Sequence, residues 1–277
     1  MKYNFKLSLL VGLIFLFWGC QQKKEIDYDE NGMLIKRTYF DNGNIEQEGT
    51  YLNDTMRDGW RRGYYENGKL KYSSEYKKGV QNGWTIYYYE NGHLKSKTHY
   101  LNDLPDGKSF VYDSNANIKS ESNWLHGIQA GNSKFYYPNS TQIESYYSND
   151  LDGHAKYIRK YDPTGKIRED KGRILTQFLL EGNFDSVKVG KVIKAGVLIA
   201  EPPNTKTRIF MGEINNHKDI IGLKEYTKRI KECIVPCEEK VFTSPGNYKI
   251  VVIGIMKDIN NEHVKNDTII IDMRAVK

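Results

Sequence analysis

Apolar and polar positions alternate in short runs from residue 28 to residue 170, and the runs recur. The segment "GWRRGYYENGKL" at 59–70 returns as "GWTIYYYENGHL" at 83–94, and Gly59, Gly83, Gly107 and Gly131 stand 24 residues apart. A dipeptide marks each unit: Asn31-Gly32, Asn42-Gly43, Asn67-Gly68, Asn91-Gly92, Asn115-Ala116, Asn139-Ser140 and Thr164-Gly165. Four residues before its second member stands a tyrosine every time: Tyr28, Tyr39, Tyr64, Tyr88, Tyr112, Tyr136 and Tyr161. Two residues after it comes Leu34, Ile45, Leu70, Leu94, Ile118 or Ile167, with Ile143 displaced by one. Such recurrence marks a repeat architecture, in which each unit buries its apolar face against its neighbours.

Asn-Gly between runs rich in Tyr, Thr, Ile and Trp predicts a β-hairpin per unit, because both residues tolerate positive φ at low cost. Two-residue turns would set Tyr65 opposite Leu70 and Tyr89 opposite Leu94. The other face would then carry Tyr64 with Lys71, Tyr88 with Lys95 and Tyr112 with Lys119. About a dozen strands at ~4.8 Å spacing make a sheet roughly 55 Å long. Ala116 and Ser140 replace the turn glycine, which predicts another turn type there. The outer loops, "KKGVQNG" at 77–83 and "LNDLPDG" at 101–107, return the chain to the next hairpin.

The units "GWRRGYYENGKLK" and "GWTIYYYENGHLK" resemble the MORN-type repeat variant of the YwqK-type "antitoxin" family. The resemblance covers residues 28–170 and implies an elongated all-β sheet of repeated hairpins. The family label implies antitoxin-like partner binding, although an exported protein would not meet a cytoplasmic toxin.

Residues 171–277 lack the repeat and hold longer β-rich runs, at 189–201, 207–214, 246–256 and 266–276. The last two resemble the closing strands of an immunoglobulin-like sandwich, with "PGNYKIVVIGI" as the entry to the penultimate strand. Leu223, Tyr226 and Ile230 fall on one helical face, which predicts a helix around Ile220–Ile230. The polar stretch "REDKGR" at 168–173 is the expected boundary, giving a repeat domain at 28–170 and an immunoglobulin-like, β-rich domain at 171–277.

The first twenty residues change the picture. "MKYNFK" is a basic opening, Leu7 to Trp18 is apolar, and Gly19-Cys20 precedes the polar "QQKKE". The apolar run is too short to span a bilayer, which needs about 20 residues. The pattern resembles a lipoprotein signal peptide, as in Bacteroidetes-like bacteria, covering residues 1–19, with Cys20 as the lipidated residue and 20–27 as a linker. That implies an exported protein anchored in the cell envelope, in the outer membrane, by lipid. An ordinary signal peptide with an incidental cysteine is the alternative.

The net charge of +6 is concentrated late, since residues 171–277 carry 18 basic against 13 acidic residues. No basic run is interleaved with aromatics, so a nucleic-acid partner is not expected. His93, His99, His126, His154, His217 and His263 show no zinc-ligand spacing and read as surface residues; no metal or cofactor is expected. Cys233 and Cys237 form C-x3-C, for which a disulfide in an oxidising envelope stands against two free thiols. Glu66, Glu90 and Asp113 fall on turns and suit turn chemistry better than acid–base catalysis. Three Asp-Ser/Thr-apolar triplets, at 54–56, 185–187 and 267–269, resemble O-glycosylation sites of Bacteroidetes envelope proteins, against ordinary loops and strand starts.

What remains is an aromatic and lysine surface. Trp60, Trp84, Tyr64, Tyr88, Tyr112, Lys71, Lys95 and Lys119 are the binding candidates, with cross-strand packing as the tyrosines' alternative role. The expected function is non-enzymatic: binding or scaffolding another envelope protein, or else binding glycan or peptidoglycan through the aromatic-lysine face.

Overall fold

The computed structural model describes residues 24–181, 186–226, 234–236, 240–259 and 263–277, so Cys20, Cys233 and Cys237 lie outside the described residues. The fold is all-β, with no α-helix among those residues. The strands β1 (Lys24–Tyr28), β2 (Leu34–Tyr39), β3 (Ile45–Tyr51), β4 (Arg57–Tyr64) and β5 (Leu70–Lys77) open one antiparallel sheet. It continues through β6 (Val80–Tyr88), β7 (Leu94–Leu101), β8 (Leu104–Tyr112) and β9 (Ile118–Leu125). The short β10 (Ile128–Gln129), β11 (Gly131–Tyr136), β12 (Ile143–Asn149), β13 (Ala155–Tyr161) and β14 (Ile167–Gly172) complete it. Its 14 strands pair almost wholly in chain order, each hairpin beside the next.

The turns differ from the two-residue form. Gly68 N–H donates to Tyr65 O at 2.9 Å, and Tyr65 N–H donates to Lys69 O at 2.8 Å. This is a type I turn closed by a glycine bulge, so Gly68 (φ 81°) takes positive φ and Asn67 does not. Asn67 instead accepts the Lys69 N–H on its side chain. Gly92 (φ 93°) and Asn91 repeat the arrangement. The extra residue shifts the register: Tyr64 opposes Leu70, Tyr88 opposes Leu94 and Tyr112 opposes Ile118. The predicted pairs Tyr65–Leu70 and Tyr89–Leu94 are therefore not formed, and neither are Tyr64–Lys71, Tyr88–Lys95 and Tyr112–Lys119 as opposed pairs. Ala116 keeps the same bonding and simply adopts φ 68°, so only the turn at Ser140 changed type, with positive φ moved to Asn139 at 55°.

The glycine column has a physical cause. Gly59, Gly83 and Gly107 all have positive φ. At two of them a side chain of the preceding strand also fills the space: a Cβ on Gly59 would lie 2.5 Å from Thr50 Oγ1, and one on Gly83 would lie 1.9 Å from Glu75 Oε2.

Beyond Gly172 the chain builds two further sheets. One holds β15 (Leu175–Glu181), β17 (Val192–Ile199), β20 (Ile234–Pro236) and β21 (Lys240–Val241). The other runs β16 (Val187–Lys188), β23 (Val264–Val276), β22 (Gly246–Asp258), β18 (Thr205–Ile214) and β19 (Ile220–Tyr226), with β16 parallel to β23. The helix expected from Ile220 is thus a strand through Tyr226, held by β18 pairing that helical periodicity does not register; residues 227–230 lie outside the described residues. Buried Ile174, Leu175, Val197 and Ile199 meet Ile209, Val252 and Ile271 in one core, which also takes in Tyr146, Tyr157 and Tyr161 of the long sheet. The last repeat strands therefore rest on the C-terminal sheets, while the earlier ones form a single layer.

Candidate functional site

Opposed residues of antiparallel strands project to the same side, so the registers define two faces of the repeat sheet. On one, Arg61, Ser74, Thr85, Thr98, Ser109 and Ser122 follow one another across β4 to β9. Tyr72 and Tyr87 flank this hydroxyl row on one side, Tyr76, Tyr100 and Trp124 on the other. We call it the tyrosine face. Thr98 and Ser109 share a hydrogen bond of 2.8 Å, and Gln129 donates to Ser122 and Ser133. The ring of Tyr72 covers Gly63, where a Cβ would lie 2.2 Å from it. Where the repeat shortens, Phe135, Ser145, Tyr147, Asn149 and Lys160 line an open cleft of about 500 Å³ on the same side.

Cations rest on the tyrosines. Arg61 lies 5.2 Å from the Tyr72 ring centre, Arg57 5.5 Å from Tyr76, Lys71 5.5 Å from Tyr65 and Lys95 5.6 Å from Tyr89. Lys71 and Lys95 are thus paired with the second tyrosine of each Tyr-Tyr, not with Tyr64 and Tyr88, because the bulge re-aims them. Asp113 stands where Lys119 would find its ring. Burial raises the Tyr72 and Tyr100 hydroxyls above their ordinary value, so both remain protonated donors at neutral pH.

The opposite face carries Trp60, Trp84, Tyr64, Tyr88 and Tyr112. Its aromatics are engaged within the sheet. Arg62 lies 4.4 Å from the Trp60 ring centre and Lys97 4.2 Å from Trp84, whose ring also meets His99 edge-on at 5.2 Å. Tyr64 donates to Glu48 at 2.6 Å, and burial together with that carboxylate pushes its hydroxyl up to about 12. Tyr136 repeats the contact on Glu121 at 2.6 Å. Glu48 also pairs with Arg37 at 3.3 Å and Arg62 at 3.7 Å, and Lys134 with Glu121 at 3.2 Å, so this face neutralises its own charge.

The predicted candidates are therefore split between packing and exposure, and the hydroxyl row was overlooked. Its signal was present: Ser74, Thr98 and Ser122 stand 24 apart, as do Thr85, Ser109 and Ser133. Equally overlooked was a hydrogen-bond ladder between units. Tyr65 Oη donates to Tyr88 O at 2.7 Å, Tyr89 to Tyr112 O at 2.9 Å, and Tyr137 to Tyr161 O at 2.8 Å.

The turn carboxylates do turn chemistry. Asp113 accepts from the amides of Asn115 and Asn117, and the Asn117 side chain helps hold its carboxyl below the ordinary range. Glu90 accepts from Asn67 of the preceding turn at 3.1 Å. His154 is exposed, in keeping with the surface reading of the histidines, but it has acidic neighbours that the spacing did not suggest: Asp150, Asp152 and His154 converge within 4.8 Å. Asp150 already accepts from the amides of Asp152 and His154 and from Lys156 at 2.9 Å, which accounts for the cluster as a capped turn. His263 likewise contacts Asp170 at 3.1 Å. Of the three Asp-Ser/Thr triplets, Asp54-Thr55 is exposed, whereas Asp267 is enclosed by Arg173 and the Leu175 amide. Asp185 lies outside the described residues.

No curated protein matches this chain. Residues 35–53, 57–78 and 82–102 match the MORN repeat variant. Each matched segment covers a hairpin strand pair or its continuation, so over these three units the chain is similar to MORN-variant repeat proteins, and the long hairpin sheet is the form that similarity takes.

Proposed function

We propose that this protein is a non-enzymatic platform, exported and lipid-anchored through Cys20, whose repeat sheet docks another protein of the cell envelope. The observation that carries the reading is the tyrosine face. Its composition, Tyr, Trp, Arg, Ser, Thr and Gly, is that of protein-recognition surfaces, where rigid aromatics supply area and small hydroxyls adapt. Six strands at ~4.8 Å by about seven residues at ~3.3 Å give roughly 670 Å², close to one side of a standard interface. The MORN variant is a non-catalytic repeat type associated with binding, which supports the same reading. The C-terminal sheets we read as an immunoglobulin-like module that braces the platform. The order β16, β23, β22, β18, β19 facing β15, β17, β20 across one core supports this.

The test is a photo-crosslinker at Tyr100, on the tyrosine face, and another at Ile86, on the opposite face, in the native cell envelope. A discrete protein adduct from position 100 and none from 86 is expected. Adducts with lipid or glycan alone at position 100 would defeat the proposal.

A further inference from the structure

The charge of the tyrosine face is segregated in a way that folding does not require. Across β4 to β9, no strand position on that face is Asp or Glu. The opposite face holds Asp58, Glu75 and Glu121 over the same strands. On the tyrosine face Arg57 and Arg61 stand on either side of Gly59, with Lys71 and Lys95 at the turn-side rim, and their contacts are tyrosine rings, the Tyr51 hydroxyl and the Gln47 amide, not carboxylates. Cations gathered on one face repel one another when no carboxylate on that face offsets them. A carboxylate arriving from outside offsets that repulsion.

Resting on the platform reading above, we infer that the tyrosine face takes an acidic, extended polypeptide segment. The segment lies across the strands. Its carboxylates meet Arg57, Arg61, Lys71 and Lys95, its side chains pack on Tyr72, Tyr76, Tyr87 and Tyr100, and its backbone carbonyls accept from the tyrosine hydroxyls. A cation already seated on an aromatic face loses little side-chain entropy on pairing, so charge complementarity contributes to affinity as well as to encounter rate. The floor hydroxyls Ser74 and Thr85 are already covered, at 4% exposed each, so the segment rests on the tyrosine rings that flank them.

The experiment uses the full-length protein in detergent and two fluorescein-labelled peptides of about 15 residues, one of repeating Glu-Pro-Ser and one of repeating Gln-Pro-Ser, read by anisotropy. The Glu peptide should bind, at least tenfold more tightly than the Gln peptide, and weaken steeply with salt. Arg61→Glu should reduce its affinity at least tenfold. Arg61→Gln, which retains length and hydrogen bonding, should reduce it less, and Lys224→Glu on exposed β19 should leave it unchanged, with far-UV circular dichroism identical throughout. Equal binding of both peptides, or equal loss with Lys224→Glu, overturns the inference. Binding of polygalacturonate without binding of the Glu peptide also overturns it, in favour of an acidic glycan. If the Tyr100 protein crosslink survives while the Glu peptide fails to bind, only the acidic character is lost; if both fail, the platform itself is wrong.

Discussion

Single glycines show how one atom decides a position here. Gly92 and Gly172 both have positive φ, but a Cβ on Gly92 meets nothing within 4 Å, whereas one on Gly172 would stand 2.0 Å from Lys156 O, a backbone atom that cannot swing away. Gly92→Ala should therefore lose only the left-handed penalty, about 1 kcal/mol, and Gly172→Ala distinctly more, in urea denaturation. Equal losses would mean that space at Gly172 is not limiting. Gly83 lies between them, since the obstructing Glu75 carboxylate can rotate off. Ala116 occupies the position equivalent to Gly92 and holds φ 68° with the same turn bonding. Ala116→Gly should raise stability by up to about 1 kcal/mol, the relief of strain being partly offset by the freer unfolded chain. A lower melting temperature for that variant would refute the account.

At the scale of the element, the hairpin is legible in the sequence while its register is not. Asn-Gly announces the reversal, but composition marks neither the glycine bulge that makes the loop three residues long nor the second bulge at Lys71, Lys95 and Lys119, beyond which the register shifts back. One residue of slip was enough to misassign every tyrosine-lysine pair. The β19 strand failed for the converse reason: Leu223, Tyr226 and Ile230 fit a helical spacing locally, and pairing with β18 overrode it. Beyond the backbone pairing of neighbouring strands, the second tyrosine of each pair ties one hairpin to the next. Tyr89→Phe removes the donor to Tyr112 O and keeps the ring beneath Lys95, so a loss of about 1 kcal/mol is expected, and Tyr65→Phe should match it. Tyr88→Phe, with no such bond to a neighbouring unit, is the comparison. A loss for Tyr88→Phe as large as for Tyr89→Phe would remove the ladder from the account.

In the whole molecule, the repeat sheet is fixed to the C-terminal sheets by a buried ionic cluster that no sequence motif foretold, since its members are separated by up to 106 positions, from Arg159 to Lys265. Arg159, 1% exposed, bonds Asp170 at 2.6 Å and Asp258 at 2.7 Å, and Lys265 reaches Asp170 at 2.9 Å. Burial alone would push the Asp170 carboxyl up; hydrogen bonding to Lys265 and the Arg159 guanidinium outweigh it and hold the group below its ordinary 3.8. A carboxyl whose folded value is depressed binds fewer protons folded than unfolded. Its stabilisation is complete above the unfolded value and disappears as pH falls through the folded one. Arg159→Met leaves Asp258 without its guanidinium partner in a partly buried site and should cost about 3 kcal/mol at neutral pH. The same change should flatten the acid loss of stability between about pH 4 and the depressed value, because less remains to be protonated away. Asp170→Asn should flatten it too while retaining the Arg159–Asp258 bond. Urea midpoints across this range decide the matter: wild-type and Arg159→Met curves that fall in parallel with acid would show that the cluster does not hold the two parts of the molecule together.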